Sequence, residues 1–271
     1  MQLTFEQSTS SDFLDLIWSA FFRERGRGQS LGEHFPWLTD LRSADAWLAT
    51  IRDDRSQPVA GLAVKRHFAH SDTASIGLVC VRADLRGQGL SQSLLSGAIR
   101  EAQALGMTSL TLWAGKPSVY LKHGFETRDQ ALFGWVRNTA GSPSSKAAST
   151  RRITWPDTNE RQAKNRGLPP FAVEACRLIL GSDLANAIVV VDASGPIVAE
   201  WGGDDVHVAQ LLRTALPARW RLNALHGDSL IAALQGCGID LDLCESRLQM
   251  WRTSPDASQT DLPRPRLLDR I

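Results

Sequence analysis

Several absences narrow the possibilities at once. No run of apolar residues approaches the roughly 18 that a transmembrane helix needs, so no membrane span is expected. Net charge is only +1, so neither a broad nucleic-acid surface nor an anionic-membrane patch is expected. The four cysteines, Cys80, Cys176, Cys237 and Cys244, show neither metal-ligand pairing nor a disulfide framework. Buried thiols in a reducing cytoplasm are the expectation. The opening Met1–Glu6 lacks the basic start and apolar middle of a signal peptide, which also points to the cytoplasm. His67 and His70 flank a strand end without metal spacing, and no Ser/His/Asp arrangement is defensible, so no metal and no triad are expected. Tyrosine occurs once, at position 120, so any chemistry that needs a phenol falls on that residue.

What is present suffices for one large or two ordinary domains: 271 residues, nine tryptophans and 43% apolar content. The most informative stretch runs from Val79 to Ser91. The β-branched, apolar run Ile76–Val81 reads as a buried strand. A short basic, glycine-bearing turn follows, and then a helix with Leu90, Leu94, Leu95, Ala98, Ile99, Ala102 and Leu105 on one face, stopped by Gly106. The first N–H groups of a helix have no internal partner, and the helix dipole adds partial positive charge there. A strand that runs through glycines into a helix start is thus a device for holding phosphate. Gly87 and Gly89 let an anion approach the backbone, and Arg86 adds a charge-assisted donor.

Arg86-x-x-Gly89-x-Ser91 resembles the Arg/Gln-x-x-Gly-x-Gly/Ala loop of the GCN5-related N-acetyltransferases (GNAT), which cradles the pyrophosphate of acetyl-CoA. Ser91 departs from the usual Gly or Ala. Ala114–Phe125 resembles the family's short fourth helix, ending in Tyr120-x-x-x-Gly124-Phe125. Both motifs fall in the family's order, one helix and one strand apart. The resemblance implies a mixed α/β fold, acetyl-CoA as co-substrate, and an amide cradle at Val79, Cys80, Val81, Arg86, Gly87, Gln88, Gly89, Leu90 and Ser91. It implies further that the strand before the loop splays from its neighbour, and that Tyr120 is the general acid. Cys80 itself reads as a core thiol. No carboxylate lies within Ala74–Val81, so the base is open: water, Glu33, His34, His67 or Asp72. The acceptor-side candidates are Arg25, Arg27, Glu33 and His34, in the segment where the family's acceptor loop lies.

Elsewhere the pattern predicts a helix over 12–22, a short helix within 37–47, strands over 47–52 and 59–68, and a turn at 70–72. A strand over 108–113 and a closing pair, 125–128 and 132–137, complete a catalytic domain of residues 1–137. Residues 138–152 are small and polar, as a linker should be. Residues 153–253 partly repeat the first half, with a helix expected over 171–180, a hairpin over 187–201 and helix–strand–helix beyond. Gly89 to Gly203 and Gly124 to Gly238 share one offset of 114 positions (203 − 89 and 238 − 124). In this overlay Glu200 replaces Arg86, Asp204 and Asp205 replace Leu90 and Ser91, and Leu234 replaces Tyr120. Carboxylates there repel a pyrophosphate, so a degenerate, partial GNAT-like domain without a CoA site is expected. The tail, 254–271, reads as an arm or a disordered end. The function expected is acetyl transfer to a primary amine of a small molecule, in a monomer or homodimer. Protein N-acetylation is the enzymatic alternative, and a CoA-responsive binding module the alternative of another class.

Overall fold

The computed structural model describes residues 1–23, 30–67, 70–138, 150–162, 164–254 and 262–271. The first half runs β1 (Gln2–Glu6), α1 (Ser11–Phe21), α2 (Leu31–His34), β2 (Ala46–Arg52), β3 (Pro58–His67), β4 (His70–Val81), α3 (Leu90–Ala104), β5 (Ser109–Trp113), α4 (Ser118–Leu121), β6 (Glu126–Thr127) and β7 (Ala131–Asn138). The second half runs β8 (Thr150–Thr154), α5 (Thr158–Gln162), β9 (Glu174–Leu180), β10 (Ala185–Asp192), β11 (Gly195–Gly203), α6 (Asp205–Ala215), β12 (Arg219–Leu225), α7 (Ser229–Gly236), β13 (Ile239–Glu245) and β14 (Gln249–Thr253).

These strands form two seven-stranded sheets, ordered β1-β2-β3-β4-β5-β14-β6 and β13-β7-β12-β11-β10-β9-β8. Read from opposite ends, the orders are the same except that each half gives its last strand to the other sheet. β14 pairs β5 and β6, and β7 pairs β12 and β13, all antiparallel. In each sheet one pair is parallel, β4 with β5 and β11 with β12, and a helix crosses between its members. The fold is mixed α/β, and the second half repeats the plan of the first. Two compact units result: Met1–Arg128 with Leu248–Pro263 and Arg270–Ile271, and Asp129–Arg247 with Arg264–Asp269.

In the first unit the sheet is buried on both faces. Ser10 caps α1, its Oγ accepting from the Phe13 N–H at 3.3 Å. Phe13, Leu16 and Ile17 of that helix pack with Phe22, Phe35, Trp37 and Leu78 on one face. On the other, Leu94, Leu95, Ala98, Ile99 and Ala102 of α3 meet Ile76, Leu110, Leu112, Phe125 and Met250. Each of the larger of these side chains contributes about 1.5–3 kcal/mol on burial. Gly106, at φ +83°, ends the helix as expected, while Leu105 is left exposed.

Several expectations need correction. Residues 132–137 do not close the first domain beside 125–128; as part of β7 they lie in the second sheet. Alternation marks a strand but not the sheet that receives it. The expected helix over 171–180 is β9. There Cys176, Leu178 and Leu180 enter one core, while Ala175 enters the other, and apolarity on both faces hides the period of two. The expected turn at 70–72 is the exposed start of β4. The short second helix lies earlier than 37–47, at Leu31–His34, followed by a 3₁₀ turn over Pro36–Thr39. The tail is no loose arm beyond 262: Leu267 and Leu268 are buried, and Arg266 holds Asp228 through two hydrogen bonds of 3.0 and 3.2 Å. Most of the expected linker lies outside the described residues, and its ends belong to β7 and β8.

Candidate active site

β4 and β5 pair only at Thr73–Ser109, Ala74–Leu110 and Ser75–Thr111. Beyond Ser75 the strands part, so from Ile76 to Val81 the β5-facing edge of β4 has no strand partner among the described residues. The other edge stays on β3, but its register slips between Gly61–Cys80 and Ala63–Gly77, which places Leu78 and Val79 opposite one residue. This is a β-bulge, with Leu78 at φ +53°. The bulge breaks the alternation, so Val79 joins Ile76 on the α3 face while Leu78 and Cys80 turn to the α1 face. Main-chain donors and acceptors of a strand are thereby opened to a ligand instead of a neighbour.

At its end β4 runs through a 3₁₀ turn, Ala83–Leu85, into the glycine loop. The Arg86 Nε donates to the Val81 carbonyl at 3.2 Å, which folds the loop back on the strand end. Gly87 and Gly89 sit at φ +82° and +79°, a region that penalises any Cβ, and a Cβ at either would meet no protein atom. Gly89 is the N-cap of α3 and no side chain caps that helix. The N–H groups of Gly87, Gln88, Gly89, Leu90 and Ser91 find no acceptor among the described residues. Donors and helix dipole therefore converge on open space.

β5 ends at the same end of the sheet and leads through Ala114–Pro117 into α4, which carries Tyr120. The Tyr120 ring is half-buried against the α3-side core and edge-on to Phe125, with centroids 6.3 Å apart. Burial raises its pKa above that of an ordinary phenol, so the hydroxyl stays a proton donor. That hydroxyl bonds to no described residue. Lys122, after α4, donates to Gln92 Oε1 in the first turn of α3 at 3.1 Å, which ties the Tyr120 helix to the glycine-loop helix. Both chemistry-bearing segments therefore stand at the C-terminal ends of two parallel strands that diverge, where open α/β sheets bind ligands.

The remaining candidates divide. Burial pushes the Cys80 thiol up to about 12, and its Sγ donates to the Gly61 carbonyl, so it is a core thiol and no nucleophile. His34 is 3% exposed and stacked on Phe22 at 4.7 Å, so it is packed within the α1-side core. Glu33 is half-buried on α2, its N–H capped by Ser30 Oγ. Arg25 and Arg27 lie outside the described residues. Asp72 sits at the start of β4, far along the strand from Val81, and the Thr108 hydroxyl at 2.7 Å holds its carboxyl below the usual range. His67 Nε2 lies 2.9 Å from Ser75 Oγ, at the last rung that β4 shares with β5. Among the described residues no group of His, Cys, Asp and Glu could hold a metal ion, and no helix is long and apolar enough to cross a membrane. Arg252, which makes a hydrogen bond to the turn after Tyr120, carried no signal in the sequence.

A splayed parallel pair, a glycine loop at an uncapped helix and a half-buried phenol thus stand together at one end of the sheet. Residues 11–125 match the acetyltransferase (GNAT) family. That stretch of the first half is thus a GNAT-family acetyltransferase domain. Among solved structures the chain resembles the GCN5-related N-acetyltransferase of Anabaena variabilis ATCC 29413, with 13% identity, 93% of this chain and 73% of that one covered, and a TM-score of 0.62. A conserved protein of Enterococcus faecalis V583 matches with 15% identity, the same coverages of 93% and 73%, and a TM-score of 0.64. Eis1 of Mycobacterium abscessus matches with 12% identity, 93% and 74% coverage, and a TM-score of 0.59. At such identities these structures show the shared fold. A comparison with curated proteins gives no match.

Proposed function

We propose that the first unit binds acetyl-CoA along the free edge of β4 and transfers the acetyl group to a primary amine of a small molecule. The observation that carries this reading is the unpaired edge of β4 ending at the uncapped N-terminus of α3, with Tyr120 at the same end of β5. The residues present fit the coenzyme. Main-chain groups of Val79, Cys80 and Val81 suit the pantetheine arm and would polarise the thioester carbonyl. The N–H groups of Gly87 to Ser91 suit the pyrophosphate, with Arg86 shaping the loop beneath them. Bound there, acetyl-CoA supplies a thioester open to direct attack, and the protein's contribution is to orient the partners and stabilise charge.

Tyr120 is assigned the proton that the departing thiolate needs. A thiolate whose thiol has a pKa near 8.5 is a weaker base than the phenolate of a phenol of pKa about 10, so a strong hydrogen bond suffices and full transfer is optional. Deprotonation of the incoming amine is assigned to water held by main-chain groups of the unpaired β4 edge. The second unit is proposed to bind no coenzyme. At the start of α6 the Asp204 carboxylate accepts from the N–H groups of Val206 and His207, at 3.1 and 3.2 Å, which takes up the donors a phosphate would use. Glu200, the counterpart of Arg86, is held by Arg166 at 2.8 Å.

Thiol release from acetyl-CoA, followed across a panel of small amines and amine-bearing peptides, tests this reading. Steady release with a small amine supports it. Release only with peptides moves the acceptor to proteins, and tight CoA binding without release makes the chain a sensor.

A further inference from the structure

The last strand of the sequence reaches into the candidate active site. β14 lies between β5 and β6, with Arg252 opposite Leu110. The Arg252 Nη1 donates to the His123 carbonyl at 2.7 Å, on the turn that follows Tyr120. That turn is closed by the His123 N–H and the Phe125 N–H, which both donate to the Tyr120 carbonyl, at 2.9 and 3.4 Å, and by Gly124 at φ +78°. The guanidinium fills the space that a side chain on Gly124 would need. Arg252 is half-buried and has no carboxylate partner among the described residues. A cation held in this way on a neutral carbonyl serves as a cap for a helical turn whose last carbonyls lack partners.

We infer that Arg252 is a positioning residue for Tyr120: from the exchanged strand it locks the Tyr120–Phe125 turn and so sets where the phenol hydroxyl points. The inference rests on Tyr120 being the proton donor. Neighbouring chemistry agrees with it, since burial together with Lys122 and Arg252 holds His123 below the usual histidine range, which leaves a neutral imidazole beside the guanidinium. The second half of the sequence thereby completes the site of the first.

A double-mutant cycle on the full-length chain tests this. Arg252→Met should lower kcat by roughly 10–100-fold while the acetyl-CoA KM stays within about twofold, and Arg252→Lys, which keeps a donor, should recover most of the loss. In a Tyr120→Phe background, Arg252→Met should cost less than about twofold more, because the group it positions is gone. An equal loss in both backgrounds, or an unchanged kcat in the first, overturns the inference. Turnover of Tyr120→Phe at the wild-type rate would instead sink the donor assignment, and that outcome is read from the single variant alone. Should Arg252→Met not fold, Arg252→Gln and Arg252→Lys compared by ultraviolet titration decide. Tyr120 is the single tyrosine, so that titration reads its phenol directly. A phenol that moves down toward about 10 in Arg252→Gln while staying near the wild-type value in Arg252→Lys supports the inference, and one that titrates as in wild type in both opposes it.

Discussion

Tyr120 is the single tyrosine of the sequence, so the proton-donor role proposed for it has no second phenol to fall back on. Tyr120→Phe keeps the ring, its edge contact with Phe125 and its burial, and removes only the hydroxyl. We expect kcat to fall by roughly 10²–10⁴ with acetyl-CoA affinity little changed, as measured by steady-state kinetics and calorimetry. Because burial raises the phenol's pKa, the folded state holds its proton beyond the point where an unfolded chain releases it. Activity that depends on the donor therefore persists above about pH 10 and falls only as pH passes the raised value, and the stability linked to this proton is lost in the same window. A kcat–pH profile whose alkaline limb vanishes in Tyr120→Phe checks the assignment. At this scale much was legible in the sequence. Gly87 and Gly89 precede a helix and carry the positive φ that only glycine accepts readily. His34 was not legible as core, because a histidine between Glu33 and Phe35 reads equally well as surface until Phe22 is stacked on it.

At the level of elements, α3 and α6 begin the same way in topology and differently in chemistry. Gly89 leaves the start of α3 open, whereas Asp204 closes that of α6. Asp204→Ala should therefore cost about 0.5–2 kcal/mol of stability, a cap's usual worth, and lower Tm by a few degrees. Acetyl-CoA binding should not improve in this variant, since Glu200 and Asp205 remain; calorimetry and a thermal melt give both answers. The repeat behind this comparison was visible as one offset joining two glycine pairs, and all four glycines hold positive φ. β9 was misread because its two faces enter two cores, and a strand that is apolar on both sides carries no alternation.

The whole molecule is built on a reciprocal loan of strands. A piece ending at residue 137 would lack β14, leaving the Ser109–Trp113 edge of β5 unpaired and the sites of Met250 and Trp251 empty. Each of those side chains is worth about 1.5–3 kcal/mol in burial. Set against a total stability of about 5–15 kcal/mol, the loss of the strand and its hydrogen bonds decides the matter. Residues 1–137 and 153–253 expressed separately should be insoluble or lack a cooperative melt, while the full chain melts cooperatively; soluble yield and calorimetry are the checks. A soluble, acetyl-CoA-binding fragment 1–137 would show that β14 is dispensable.

One shared offset marked a second, similar half and a family resemblance located the short helix with its phenol, while local physics was enough to specify the glycine loop and the amphipathic α3. The latter two depend on neighbours within a turn or two, where spacing and φ requirements are written directly in residue types. The exchange of β7 and β14, the docking of Leu267 and Leu268, and the hold of Arg252 on the Tyr120 turn were decided only by the folded chain. Those contacts join residues far apart in the sequence, from 137 and 219 in the β7–β12 pair to 123 and 252. Strand alternation says which face is buried but nothing of which sheet supplies the neighbour, so only packing could choose.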